Sequence, residues 1–486
     1  MPSLPVATVR IDLTGGPTVV SPNLGCVIGP VLTGADKTPF LCGNSQQALR
    51  RYGYCELVEY VAQHIQDTGK PIVIVPLPAS VPGTLGSNGV TLESTYSQPT
   101  ATLPSAGAGV NCVLWLKCVR GGTVGADEIV IAYSLNGGQQ WTNVRLGKSS
   151  TYTIPNIDVK FEFSAGIMDS SSVIYKATMT APNYSTSDFK DGVDALAASS
   201  HFVRNWLCIG SLQNSTGAQF IVDQAARYET EFERYVFAKC YTYDHTSVGK
   251  ELPSGDWQTM LSAAFAGIDG SHRIDIGAGM LRRTSPITGQ IMRFSVQFAD
   301  NIRAFQHDIH IATWEKDKGP IVGWSLEDEN GNVVEHDERV WPGLLESRFT
   351  CARSWGNGPR GAYIAMALTR ASEGSVLSYT HNAAVANLYQ TVCQASTESG
   401  GIGKSLVLNK DGTATSKSLA AVRDRVESDL ARALIEPGLE GQRASGVSWT
   451  PSPGDKFNVP GATMHGFGEL NLRGTIARIE TIVRVS

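Results

Sequence analysis

The chain has 486 residues, and at about 150 residues per domain that length holds roughly three domains. Hydrophobic residues make up 42% and charged residues 17%, which is too apolar and too sparsely charged for a disordered protein. Lys plus Arg is 40 and Asp plus Glu is 45, so the net charge of -5 excludes a global basic footprint for nucleic acid and a polybasic pull toward a membrane.

Glycine is frequent, at 50 residues, which points to many turns and short strands. Low charge with many glycines also suits a subunit that covers its surface with copies of itself. The first residues, Met1 to Arg10, contain no charged stretch leading into an apolar one, so no signal peptide is expected. Apolar runs such as Pro71 to Pro78 fall short of the roughly 18 residues that span a bilayer, so a soluble chain made in a cytoplasm is expected.

In chain order, Val9, Ile11 and Leu13 alternate with Thr8, Arg10 and Asp12, which predicts a strand ended by Gly15-Gly16-Pro17. Asn44 to Asp67 carries Leu49, Tyr52, Leu57, Val61 and Ile65 near helical spacing, and Pro71 to Pro76 reads as a short buried strand. Composition then shifts to Gly, Ser, Thr and Pro from about Ala79 to Leu103. Strands follow at Val110–Val119, Glu128–Leu135, Trp141–Leu146, Ile157–Phe163 and Val173–Thr180, with Asn136-Gly137-Gly138 as a tight turn. Residues 88–182 therefore read as an inserted antiparallel β domain.

Beyond Ser185 strands and helices alternate. Ser187 is expected to cap a helix running to Ala198. Strand Val203–Ile209, helix Ala218–Arg234, strand Tyr235–Tyr241, helix Trp257–Ile268 and strand Arg273–Ile276 come next. Helix Arg293–Phe305 and strand Ile309–Trp314 close the series, and the alternation predicts a mainly parallel sheet. A strand at Gly361–Leu368, helices at Ala383–Ala395 and Ser418–Ile435, and a strand-like end at Leu470–Val485 complete the chain. The expected class is mixed α/β, with segments 1–20, 21–87, 88–182, 183–338, 339–469 and 470–486.

Motifs for catalysis are weak. Gly400-Gly-Ile-Gly-Lys404-Ser405 resembles the end of a phosphate-binding loop, but Glu398 stands where its first glycine belongs. Gly277-Ala-Gly279 follows a strand without a third glycine on schedule. His307 and His310 could supply two metal ligands, with no further cluster nearby. Glu335-His336-Asp337-Glu338-Arg339 is a charge run that reads as a solvated or interface loop. No Gly-x-Ser-x-Gly elbow occurs. No catalytic residue, cofactor or metal site is assigned.

The nine cysteines include no C-x-x-C pair, which argues against a zinc or thioredoxin-type motif. Cys112 and Cys118 are about 20 Å apart on one strand, too far to bridge. Inert buried thiols are one reading; bridges between subunits, with Cys26 and Cys42 as exposed candidates, are the other. In Ser418–Ile435 the residues Leu419, Val422, Val426, Leu430 and Leu434 form an apolar stripe, and Arg423, Arg425 and Arg432 lie among the charges around it. That helix reads either as an ordinary surface helix or as one whose charged face docks on a partner filament.

Taken over nearly its full length, the chain resembles the sheath proteins of contractile phage tails, in the branch with an inserted β domain. The stretches that carry this are the N-terminal strand with Pro71-Ile-Val-Ile-Val, Tyr133-Ser-Leu-Asn-Gly-Gly, Thr178-Met-Thr-Ala-Pro182, Glu338-Arg-Val-Trp-Pro-Gly343, Ser347-Arg-Phe-Thr350 and Gly361-Ala-Tyr-Ile364. The resemblance implies a mechanical subunit that stacks with copies of itself as hexameric rings in a helical homopolymer around a tail tube protein. Baseplate and tail terminator proteins would be its other partners, and the virion tail its location. It further implies that Val9, Ile11 and Leu13 at one end, and Leu470, Leu472, Val483 and Val485 at the other, belong to strands donated to neighbouring subunits. Arg423, Arg425 and Arg432 are then candidates for gripping the tube. A sheath of a phage-like injection particle or type VI secretion system is the runner-up within this class, which the sequence does not separate, and an α/β enzyme with a β accessory domain is the alternative of a different kind.

Overall fold

Five apolar segments pair side by side because both of their faces find cover. In the computed structural model, Ile72–Pro78, Leu24–Val31, Val203–Leu212, Ala238–Thr242 and Ser271–Gly277 run parallel in that order, and the short antiparallel strands Phe40–Cys42 and Thr369–Arg370 close the two edges. The residues described are 24–93, 95–244, 254–268, 270–356, 359–372, 374–401, 406–435, 442–455 and 466–472. The expected strand through Val9, Ile11 and Leu13, and the residues Val483 and Val485, lie outside them. The class is mixed α/β, in several sheets.

Alternation along the parallel strands sends side chains to two separate cores. Cys26, Ile28, Val73, Val75, Trp206, Cys208 and Cys240 face the helices Thr186–Ala198 and Ser215–Phe232. Val27, Val31, Ile74, Leu207, Ile209 and Tyr241 face the other way, toward the helices Glu56–Thr68 and Val296–Gln306. The described residues divide into two units, 24–307 with 311–380, and 308–310 with 381–472.

Several local expectations change for identifiable reasons. The stretch 44–67 is two helices, Ser45–Tyr52 and Glu56–Thr68, because Gly53 turns the chain at φ 72. Ser185, not Ser187, caps the next helix by accepting from the Asp188 amide. Residues 293–295 are not helical. Ile291–Ser295 pairs with Met280–Thr284 as a hairpin, and Ser295 then caps the helix that begins at Val296. Residues 309–314 form turns, not a strand.

The insert is held shut at its base by Val81 and Asn183, whose backbones exchange two hydrogen bonds of 2.9 Å. Its five-stranded sheet runs Thr84–Leu85, Val173–Thr180, Cys112–Arg120, Ile129–Ser134 and Thr142–Gly147, and a three-stranded sheet contains Thr151–Thr153, Lys160–Phe163 and Pro99–Thr102. The turn at Gly137 and Gly138 has φ values of 70 and 89, as the sequence pattern requires. Leu114, Leu116, Ile131, Phe161 and Tyr175 fill the space between the sheets, and this core is continuous with the Tyr54, Leu57 and Met292 side of the central sheet. Asn111 donates to Glu56 at 2.6 Å, and Gln290 accepts from the Leu135 amide at 2.9 Å. Replacing 82–182 by a short linker should therefore leave a folded chain with a lower unfolding temperature, because Tyr54, Leu57 and Met292 lose their cover. Calorimetry checks this; an unchanged melting temperature would mean that the two cores are independent.

Candidate assembly interface

The positions where an enzyme of this topology would bind a ligand are filled by protein. The sheet order reverses between Leu24–Val31 and Val203–Leu212, and the carboxyl ends of such strands are the usual ligand crevice. Here the insert closes over that place. Glu56 accepts from Asn111 and from the Tyr241 hydroxyl at 3.0 Å, and the same hydroxyl accepts from the Gly210 amide at 2.9 Å. A Cβ on Gly109 would overlap the Tyr54 carbonyl. Burial, opposed by these hydrogen bonds, raises the Glu56 carboxyl above its ordinary range. At Gly277 a Cβ would overlap Gln297, so that glycine serves close packing against the helix rather than a cofactor phosphate.

The run Glu335–Glu338 is buried, which corrects the solvated half of the solvated-or-interface reading. Glu335 receives Arg293 at 2.7 Å through both of its carboxylate oxygens and Arg282 at 3.1 Å. Asp337 accepts from the amides of Arg339 and Ser354, and Glu338 from those of Gly343 and Leu345. These carboxylates organise turns, and charge patterning alone gave no sign of it. His310 Nδ1 stands 3.8 Å from Asp308. Among the described residues no group of three or more His, Cys, Asp or Glu could hold a metal ion. Among them too, no helix is long and apolar enough to cross a membrane.

A polar row beneath the central sheet went unrecognised in the sequence. Lys239 pairs across strands with Asp275, and its ammonium meets Asp300 of the helix Val296–Gln306 and lies 3.5 Å from Asp275. All three side chains are inaccessible to solvent. Gln297 and Thr350 donate to Asp275 at 2.7 and 2.6 Å, and Thr313 donates to Asp300 at 2.5 Å. One ammonium thus faces two carboxylates. Burial, with the Asp300 charge adding to it and Lys239 opposing it, raises the Asp275 carboxyl to about 6. The signal was present in Gln297, Asp300 and Asn301, whose i, i+3, i+4 spacing puts one polar face on an otherwise apolar helix.

The second unit contains the helix Ser416–Leu430, which continues as a single π turn over Ala431–Ile435. Thr415 caps it, and Val422, Val426, Leu430 and Leu434 form its buried stripe. Leu419 is half-buried. Arg423 and Arg432 are exposed, yet each has acidic neighbours: Asp424 at 2.8 Å and Glu427 at 3.9 Å for Arg423, and Asp429 at 3.6 Å for Arg432. Arg425 is half-buried.

Against this helix lies a two-stranded antiparallel ribbon, Ala444–Pro451 with Gly466–Leu472. One face carries Ala444, Val447, Trp449 and Pro451 opposite Leu472, Leu470, Gly468 and Gly466, and its members are buried or half-buried apart from the two glycines. The glycines are sterically required. A Cβ on Gly466 would overlap the Trp449 indole, and one on Gly468 would overlap the Tyr389 hydroxyl, which donates to the Ser448 carbonyl at 2.7 Å. The other face shows Phe467, which is 72% exposed.

The two edges of the ribbon differ. The Trp449 amide donates to Glu427 at 3.2 Å instead of across the ribbon. Trp449 and Gly468 are therefore a non-hydrogen-bonded pair, so the amides of Gly468 and Leu470 point away from Ala444–Pro451. That outer edge of Gly466–Leu472 has no strand partner among the described residues. Leu470 and Leu472 thus stand on a strand that begins at Gly466, four residues before the boundary expected at 470.

The cysteine expectation is corrected. Cys26 and Cys42 are completely buried, Cys26 in the middle of the parallel sheet, so neither presents a thiol to another subunit. Burial also raises both thiols above their ordinary range. Eight of the nine cysteines are buried, Cys393 is half-buried, and all are free.

No family model matches the chain, and a comparison with curated proteins gives no match. Solved structures do resemble it. A sheath tail protein from Desulfitobacterium hafniense is 9% identical, with a TM-score of 0.44 over 95% of this chain and 100% of that one. The chain is similar to tail sheath proteins. The corresponding protein of Listeria innocua is 9% identical at a TM-score of 0.42, over 92% of this chain and 94% of that one. A chain of the anti-feeding prophage baseplate is 8% identical at a TM-score of 0.49, over the full length of both.

Proposed function

We propose that this chain is the structural subunit of a contractile tail sheath. It polymerises with copies of itself as stacked hexameric rings around an inner tube, and the polymer shortens to drive that tube through an envelope. The observation that supports this reading most is the outer edge of Gly466–Leu472, which has no strand partner among the described residues. An isolated two-stranded ribbon is marginal in water, and an unpaired edge is a template for a strand from another chain. A head-to-tail contact of that kind does not close on itself and gives a helical filament. Strand exchange keeps neighbours linked while their bodies move. Contraction is then a relaxation between two packings that differ by about a few kcal/mol per subunit.

The tail tube protein is the partner assigned to the helix Ser416–Leu430 and the π turn that continues it, with Arg423, Arg425 and Arg432 toward it; baseplate and terminator proteins bound the polymer at its ends. Because acidic neighbours already flank Arg423 and Arg432 and solvent screens both, each arginine holds the tube weakly, and the grip is one that contraction can release. The purified chain should form long tubes in negative stain, and a field of discrete particles would contradict the proposal. The triple variant Arg423→Glu, Arg425→Glu, Arg432→Glu should assemble poorly on tubes while still self-assembling without them. Equal loss in both assays would place the arginines between sheath subunits instead.

A further inference from the structure

The five-stranded sheet of the insert buries one face and displays the other, and the displayed face of its central strand is not polar. Between the buried Cys112, Leu114, Leu116 and Cys118 come Val113, Trp115, Lys117 and Val119. Val113 and Val119 are 37% and 38% exposed. A solvent face on an antiparallel sheet ordinarily alternates to polar residues. Here two indoles are set into it. Trp115 and Trp141 converge on the hairpin turn, where a Cβ on Gly138 would stand 2.6 Å from Trp115 and 3.2 Å from Trp141. The left-handed glycine therefore seats both rings.

Each indole carries an ammonium. Lys176, directly across from Trp115, places Nζ 4.0 Å from that ring's centroid, and Lys117 places Nζ 4.2 Å from the centroid of Trp141. Neither lysine makes an ion pair with a carboxylate among the described residues. The neighbouring Arg145 differs, since Glu128 receives it at 2.9 and 3.0 Å. The face is thus flat, aromatic and locally positive on a chain whose net charge is -5.

We propose that this face binds an acidic polysaccharide. The carboxylates of a uronate chain match the two ammoniums held over the indoles with no carboxylate partner among the described residues, and the C–H faces of its sugar rings match the exposed Val113 and Val119 beside them. Charge complementarity favours this ligand over nucleic acid, which needs a longer basic track to neutralise several phosphates. An acidic peptide strand would seek an open sheet edge, whereas the features here lie on the face. The inference does not rest on the sheath reading.

The test is retention of the full chain by polygalacturonate in affinity electrophoresis, with neutral dextran, single-stranded DNA and poly-glutamate as comparison matrices. Polygalacturonate should retard the chain in a salt-sensitive manner, and neutral dextran should not. The variant Lys117→Gln, Lys176→Gln should bind at least tenfold more weakly with an unchanged circular dichroism spectrum. The charge-conserving variant Lys117→Arg, Lys176→Arg should keep most of the binding. The proposal is overturned by absence of retardation, by equal binding of the glutamine variant, by loss in the arginine variant equal to that in the glutamine variant, or by DNA or poly-glutamate binding as tightly as the polysaccharide.

Discussion

Replacing Lys239 by Met should destabilise the central sheet by about 3–5 kcal/mol, the usual consequence of leaving buried charge uncompensated. Asp275 and Asp300 share this ammonium, and all three side chains are buried. Faster hydrogen exchange at the amides of Ala238–Thr242 is the readout, and a methionine variant that exchanges as slowly as the parent would refute the claim. Asp275→Asn should behave in the opposite way. It removes the excess negative charge while its side-chain oxygen can still accept from Gln297 and Thr350.

The sign of the pH dependence follows from the same geometry. The folded Asp275 carboxyl lies at about 6, above its ordinary 3.8, so between those values the folded state holds more protons than the unfolded one. Stability from this group is therefore greatest below about pH 4, falls as pH rises toward 6, and stays low above that. The parent sheet should gain protection on acidification from pH 7 to pH 5, and Asp275→Asn should lose that slope.

Much of the fold was legible because apolar periodicity is a direct record of burial. Ile72–Pro78 and Val173–Thr180 appear where alternation or an apolar run placed them, and Asn136-Gly137-Gly138 forms the turn its residues require. Where two periods overlap, the sequence was ambiguous. Phe294, Phe298, Ile302 and Phe305 suit a helix through Arg293, yet Ile291–Ser295 also suits a strand, and pairing with Met280–Thr284 decides it. Buried polar groups were the hardest to read. Glu335, Asp337 and Lys239 look solvated in one dimension, and only their tertiary partners explain why they are inside. For the interface, the apolar stripe Val422, Val426, Leu430 and Leu434 was visible. The requirement for Gly466 and Gly468 was not, because it comes from Trp449 and Tyr389, distant in sequence.

Those glycines set the second large effect. Gly468→Val should prevent Gly466–Leu472 from seating on the ribbon, because its side chain would occupy the place of the Tyr389 hydroxyl. Tube formation should be abolished while the unit of residues 24–307 and 311–380 stays folded. Tyr389→Phe removes the hydroxyl's bonds to Ser448 and Cys393 without filling the space of Gly468, at a cost of about 1 kcal/mol per bond, and should still form tubes. Limited proteolysis separates the two outcomes: the valine variant should be cut within the strands 444–451 and 466–472 and the phenylalanine variant should not be cut there. An uncut, tube-forming valine variant would remove the ribbon from the assembly mechanism.

The central claim is that subunits are joined through the outer edge of Gly466–Leu472, and Leu470→Pro tests it most directly. The Leu470 amide points away from Ala444–Pro451 and has no strand partner among the described residues, so proline there removes a donor that strand exchange would use while leaving the pairing with Ala444–Pro451 in place. Negative-stain microscopy should show long tubes for the parent chain and a folded, unassembled protein for Leu470→Pro. Ordered tubes of parental length from the proline variant would contradict strand exchange at this edge and, with it, the assembly mechanism proposed for the sheath.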